Sequence, residues 1–363
     1  KSELTNRSPE GQARIEDSVR TVLKKLNELD AAALPADAAL DVDVVRTMFE
    51  TAARGFDFEF GDNAMLNLNW SYRPSPYAVA QITVAFVEIP SFLDAIHKID
   101  SKDDVAAFLT RLEAYAGQLD GESDRVLRDG AKGYVLPDFL LEKTLAQLRG
   151  ALSKAPEEWG LVNTFAGKAD AFVSDARNQA AAIARDKIAP ALAKQIDALS
   201  SFQSNANADA GIWAKPQGDE YYAWALRAST TTDLSPDEVH QMGLDELAAL
   251  QARMEPILES IGYTEGTVGE RMSALGKDPR YHFSDGDKGR AEILAFIDDA
   301  LAEIRALMPQ AFETLVPGFL EVTRIDPEVE AGAPGAYGGA GSIDGTQPGH
   351  FWINLRTPAL HTK

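Results

Sequence analysis

The sequence predicts a mainly α-helical protein with a small antiparallel β element near its C-terminus. Apolar residues recur at three- and four-residue spacing through most of the 363 positions, and the runs are punctuated by capping residues, Gly and Pro. Strand-like alternation is confined to "FDFEF" at 56–60 and to two runs near the end, "FLEVTRID" and "HFWINLR". Between those last two runs lies the glycine-rich stretch "GAPGAYGGAGSIDG".

The elements follow in order. Ser8 and Pro9 open a first helix, whose Ile15, Val19, Val22, Leu23 and Leu26 share one face. Pro35 and Asp37 restart a second, which ends at Gly55. "FDFEF" reads as a short strand, and "NLNWSYRPSPY" as a loop. "AVAQITVAFVEIPSFLDAIHKI" reads as a buried helix or helix pair broken near Pro90. A long amphipathic run follows Ser101, and another helix begins near Pro137. The alanine-rich stretch 166–202 reads as one long helix with a kink at Pro190. "NANADAGIWAKPQGDE" breaks the composition and divides the chain into a helical region 1–204, a linker 205–220 and a second helical region 221–363. In that second region Ser235-Pro236-Asp237-Glu238 starts a helix that Gly262 stops, a short helix covers "TVGERMSALGKDP", and Ser284 or Asp285 caps a last long one.

Composition excludes several function classes. Apolar residues make up 45% and charged residues 25%, an ordinary globular balance. A formal charge of −21 with no basic patch repels nucleic acid phosphates, so no nucleic acid partner is expected. There is no cysteine, hence no thiol nucleophile, disulfide framework or Cys-ligated zinc. No run of 18 apolar residues occurs, so no transmembrane helix is expected. The sequence opens on Lys1 rather than Met, a start that either removal of a signal peptide or an arbitrary cut in a longer chain would produce.

The motifs that carry chemistry are sparse. None of the five histidines (His97, His240, His282, His350, His361) lies in H-E-x-x-H, and no two are four apart. His97 and His240 read as ordinary residues of helical segments, and His282 as structural. "SDGDKG" fails as a calcium loop, because Phe296 stands where the twelfth-position Glu belongs; it is a helix N-cap. "GAYGGAG" fails as a phosphate loop, because a strand and not a helix follows it and no Lys is present. No G-x-S-x-G is present. The tail has two readings on physics alone. Its strands and glycines can offer a free edge to an extended peptide, with Tyr337, Trp352 and Asn354 around it, or the segment is a surface hairpin over the helical core.

"SPEGQAR", "LRASTTTDLSPDEVHQMGLDEL" and "GAPGAYGGAGSIDGTQPGHFWINLR", in that order, resemble segments of the bacterial domain of unknown function 885 family, and the likeness runs along most of the chain. The resemblance implies a large two-lobed, multi-helix, zinc-metallopeptidase-like scaffold, similar in fold to Taq-type carboxypeptidases, angiotensin-converting enzyme and neurolysin. It implies a peptide substrate lying along a glycine-bearing strand, with Tyr337, Gly338, Gly339, Ser342, Asp344, Phe351 and Asn354 in that wall. In such proteins a zinc helix with His-Glu-x-x-Pro-Gly-His follows the wall. This sequence stops at "RTPALHTK", so the expectation is the N-terminal part of a zinc-dependent hydrolase whose catalytic portion lies beyond it. Zinc is then expected in the parent protein and none in this chain alone, which supplies no catalytic or metal residue. Contiguous exposed apolar residues are expected near 301–360 on that reading. The alternatives are a non-enzymatic helical protein that captures peptides, and a purely structural helical protein. The family's export signals favour the periplasm or another exported location.

Overall fold

The computed structural model describes residues 2–63, 75–82, 84–325, 327, 330, 334–358 and 361. The expected loop at 67–77 falls largely outside them. The chain divides into two compact units, residues 1–240 and 241–363.

The first unit is helical throughout. Helix α1 spans Pro9–Asn27, α2 Ala36–Gly55, α3 Ala85–Ala95, α4 Lys102–Ala131, α5 Asp138–Leu152, α6 Gly160–Ala169, α7 Ala176–Ile183, α8 Ala189–Ser200 and α9 Gly218–Thr230. Local chemistry sets several of these starts. The Ser8 hydroxyl accepts from the Gly11 N–H (3.1 Å), with Pro9 in the first turn. Ser101 accepts likewise from Asp104 (3.2 Å). Helix α4 is the central rod: it packs on α8, α3, α7 and α1, and buries Phe108, Leu112, Tyr115 and Leu119.

A polar cluster sits inside this apolar core. Glu122, fully buried on α4, accepts from Arg7 (2.7 Å), the Ala85 N–H (2.9 Å) and Gln195 (3.2 Å). Burial pushes its carboxyl up, and the Arg7 guanidinium opposes that shift. Arg7 also pairs with Glu88 on α3, so the segment before α1 is clamped to two helices.

Three sequence expectations change here. "FDFEF" forms turns and no strand. Phe58 and Phe60 leave the end of α2 and enter an aromatic cluster with Tyr134, Tyr221 and Trp224, and Phe60 stacks on Tyr134 at 3.6 Å. Ring packing replaces strand pairing, which has no partner among the described residues. Helix α3 begins only at Ala85 and runs through Pro90 without breaking; His97 lies just past its end, buried, with its ring bonded to the Asp104 carbonyl and to Arg111. The alanine-rich stretch is two bodies: α6 ends at Ala169, and α7 and α8 are joined by a π-helical turn, Ala184–Ile188. Pro190 has no N–H to donate, and the wider turn just before it absorbs the lost bond. Residues 205–220 lie within the first unit, where the Asn207 carbonyl accepts from Asp138 (2.8 Å) and that of Pro216 from the Tyr134 hydroxyl (3.1 Å).

Helix α10, Pro236–Ser260, starts where sequence signals put it, with Ser235 and Glu238 bonded reciprocally (2.8 and 3.3 Å). The second unit continues with α11, Val268–Leu275, and α12, Gly286–Ala311, which Asp285 caps. Three strands follow: β1 Leu320–Arg324, β2 Ala336–Gly339 and β3 Gly349–Ile353. Their order is β1-β3-β2, with β1 parallel and β2 antiparallel to β3. The expected β element is therefore a mixed sheet, and part of the glycine-rich stretch is itself a strand. Ile353 packs with Phe283, Ile293, Ile297 and Leu355 in the core of this unit.

Candidate functional site

The candidate site is built on β2 and β3. Their alternation sorts side chains onto two faces. His350 and Trp352 project to one face, joined by Tyr337 and Gly339 of β2 and by Glu321 and Thr323 of β1. The Tyr337 ring stacks on Trp352 (5.2 Å between centroids, 27° between planes), and Trp352 stacks on His350 (5.1 Å, 20°). His350 Nδ1 lies 3.5 Å from a Glu321 carboxylate oxygen. The result is a flat, partly exposed aromatic platform. Phe351 and Gly338 take the opposite face.

The edge beyond β2 is free among the described residues, and the whole strand is exposed. The Asn354 N–H donates to the Gly335 carbonyl (2.8 Å). Antiparallel alternation from that pair turns the Tyr337 and Gly339 backbone groups toward β3, and the N–H and C=O of Gly338 outward. At that position no side chain stands between the outward groups and an approaching backbone.

The turn from β2 to β3 holds the hairpin register. Asp344 accepts from the Thr346 N–H (3.0 Å) and hydroxyl (2.8 Å), and Ser342 Oγ accepts from the Gln347 N–H (2.8 Å). The Ser342 hydroxyl first, then the Thr346 N–H and hydroxyl, stabilise the Asp344 carboxylate and hold its carboxyl down at about 2. Gly345 has φ +73°, and a Cβ there would meet the backbone of Pro317 and Gly318 at about 3 Å. Asn354 braces the start of β2: its amide donates to the carbonyls of Glu330 (2.8 Å) and Pro334 (3.4 Å). Glu330, buried, takes a two-pronged bond from Arg324 (2.8 and 2.6 Å) and another from the Leu355 N–H (3.0 Å). The guanidinium lowers its carboxyl below the usual range.

The seven residues named from sequence thus divide. Tyr337, Gly338 and Gly339 form the exposed strand. Phe351 is half-buried on the opposite face, Ser342 and Asp344 build the turn, and Asn354 is a brace. His350 and Glu321 were not among the seven. The i, i+2 relation of His350 to Trp352 marks the first, but Glu321 arrives only through the parallel pairing of β1 with β3.

Among the described residues, no group of three or more His, Asp or Glu is placed to hold a metal ion. No helix among the described residues is long and apolar enough to cross a membrane.

A family described as "Bacterial protein of unknown function (DUF885)" matches residues 1–363. No curated protein matches the chain. Among solved structures, a protein provisionally described as a lipoprotein from Colwellia psychrerythraea is similar with a TM-score of 0.85 at 28% identity, over 99% of this chain and 61% of its own. Another, from Shewanella oneidensis and provisionally described as a lipoprotein of unknown function, is similar with a TM-score of 0.59 at 16% identity, over 98% of this chain and 59% of its own; that likeness is one of fold. The chain spans about three fifths of the length of the solved relatives it matches.

Proposed function

From the premise that this chain belongs to the DUF885 family, we propose that its β2 edge is the substrate-backbone wall of a zinc-metallopeptidase-like hydrolase. On this reading an extended peptide pairs with Gly338 as an added strand, and the Tyr337–Trp352–His350 platform takes its side chains. The observation that carries the proposal is the free, exposed, glycine-bearing edge strand beside stacked aromatics. Metal ligands and acid–base groups would come from outside residues 1–363, and nothing in the wall does bond-breaking chemistry. The lipoprotein description of the relatives supports placing the protein outside the cytoplasm.

Binding of a fluorescein-labelled library of unstructured decapeptides to residues 1–363 tests the wall. Gly338→Pro removes the outward N–H and blocks the edge; it is expected to weaken binding about tenfold, the worth of one or two hydrogen bonds. Unchanged affinity in that variant would refute the wall. A non-enzymatic peptide-capturing protein shares the same edge. The two part on whether a full-length family member cleaves the bound peptides and loses that cleavage to a chelator.

A further inference from the structure

We propose that the apolar stripe of α10 is the docking surface for a helical segment lying outside residues 1–363, from the portion by which the solved relatives exceed the matched part. This inference does not depend on the peptide-wall reading. Leu244, Leu247, Leu250, Met254 and Ile257 recur at three- and four-residue spacing and fall within one arc of the helix. Leu258, within that arc, is buried, but Leu247 is 52% exposed, Leu250 40% and Ile257 61%. A helix of 25 residues, about 37 Å long, thus presents most of its apolar face to solvent. Such a helix draws its stability from packing that face, because propensity alone is marginal in water. The same incompleteness recurs on α12. The face that buries Ile293 continues through Ile304 and Leu307, and both are exposed.

The geometry of the stripe selects its occupant. Its spacing matches the ridges and grooves of a second helix. Leu, Ile and Met side chains offer no hydrogen bonds to a strand or a polar ligand. Glu246 flanks one border of the stripe; Glu255, on the other, already pairs with Arg271 at 3.5 Å, so a Lys or Arg of the partner helix is expected on the Glu246 side. The Colwellia structure extends well beyond the 61% of its chain that matches, and that additional polypeptide is where such a helix is to be sought.

The absence of cysteine makes a labelling test clean. Leu247→Cys, and Ala249→Cys on the polar face, are placed in residues 1–363 and in a fusion of that chain to the unmatched two fifths of the Colwellia protein. Maleimide labelling at position 247 is expected to slow at least tenfold in the fusion and to be unchanged at 249. Equal rates at 247 overturn the proposal. So does slowing at 247 with rising concentration of residues 1–363 alone, which identifies a second copy as the occupant. The Colwellia structure gives a reading that needs no refolding. The positions aligned with Leu247, Leu250 and Ile257 are expected to be buried beneath chain outside the matched part, and solvent exposure there also overturns the proposal.

Discussion

Arg7 illustrates how one side chain can decide stability in a core of apolar rods. It neutralises Glu122, which α4 carries into a site with no access to water. Arg7→Met is expected to destabilise the protein by about 3 kcal/mol or more, because it leaves a buried carboxylate without its cation. Urea unfolding would measure it. Glu122 titrates high in the folded state, so this loss should shrink as pH falls and the carboxyl takes up a proton. The double variant with Glu122→Gln should recover part of the loss. Glu330 behaves oppositely. Its folded value is depressed, so it stabilises fully above the unfolded value of about 4.3 and loses that contribution as pH falls through the folded one. Glu330→Gln is expected to cost about 2 kcal/mol at neutral pH and to flatten the stability profile on the acid side of the ordinary glutamate range. An unchanged acid limb would show that the Arg324 pairing contributes nothing. Neither pair was legible in the sequence. Arg7 and Glu122 lie 115 positions apart, and nothing local in either segment signals the other.

Elements were read best where the controlling chemistry is local. Ser8, Ser101, Ser235 and Asp285 all cap the helices that their sequence context announces, because a cap needs only the next few backbone N–H groups. Thr267 and Glu270 form a full capping box at α11, and Thr267→Ala is expected to cost about 1 kcal/mol. Thermal unfolding would register the loss, and no shift would mean that tertiary contacts alone fix that helix start. The misread elements depend on distant partners. "FDFEF" alternates like a strand, yet the rings of Phe58 and Phe60 are claimed by Tyr221 and Trp224, more than 150 residues away. The glycine stretch is a strand only because β3 lies beside it. The candidate edge was therefore visible as composition, while its pairing, its exposed side and the stacked platform were not.

At the scale of the molecule, the two compact units each hold their own buried cluster. Residues 1–235 are accordingly expected to fold alone, with helical circular dichroism and one cooperative urea transition; a non-cooperative melt would show that this unit needs the rest. Ile304, Leu307, Phe312, Val316 and Phe319 are exposed. The sequence by itself determined the helical class, the capped starts of several helices and the family. Those properties follow from spacing, caps and motifs read along the chain. Only the tertiary structure decided which strand pairs with which, which glycine faces outward, where the charges are buried and which apolar stripe stays uncovered. Each of these is a relation between residues far apart in sequence, set by packing and not by local propensity.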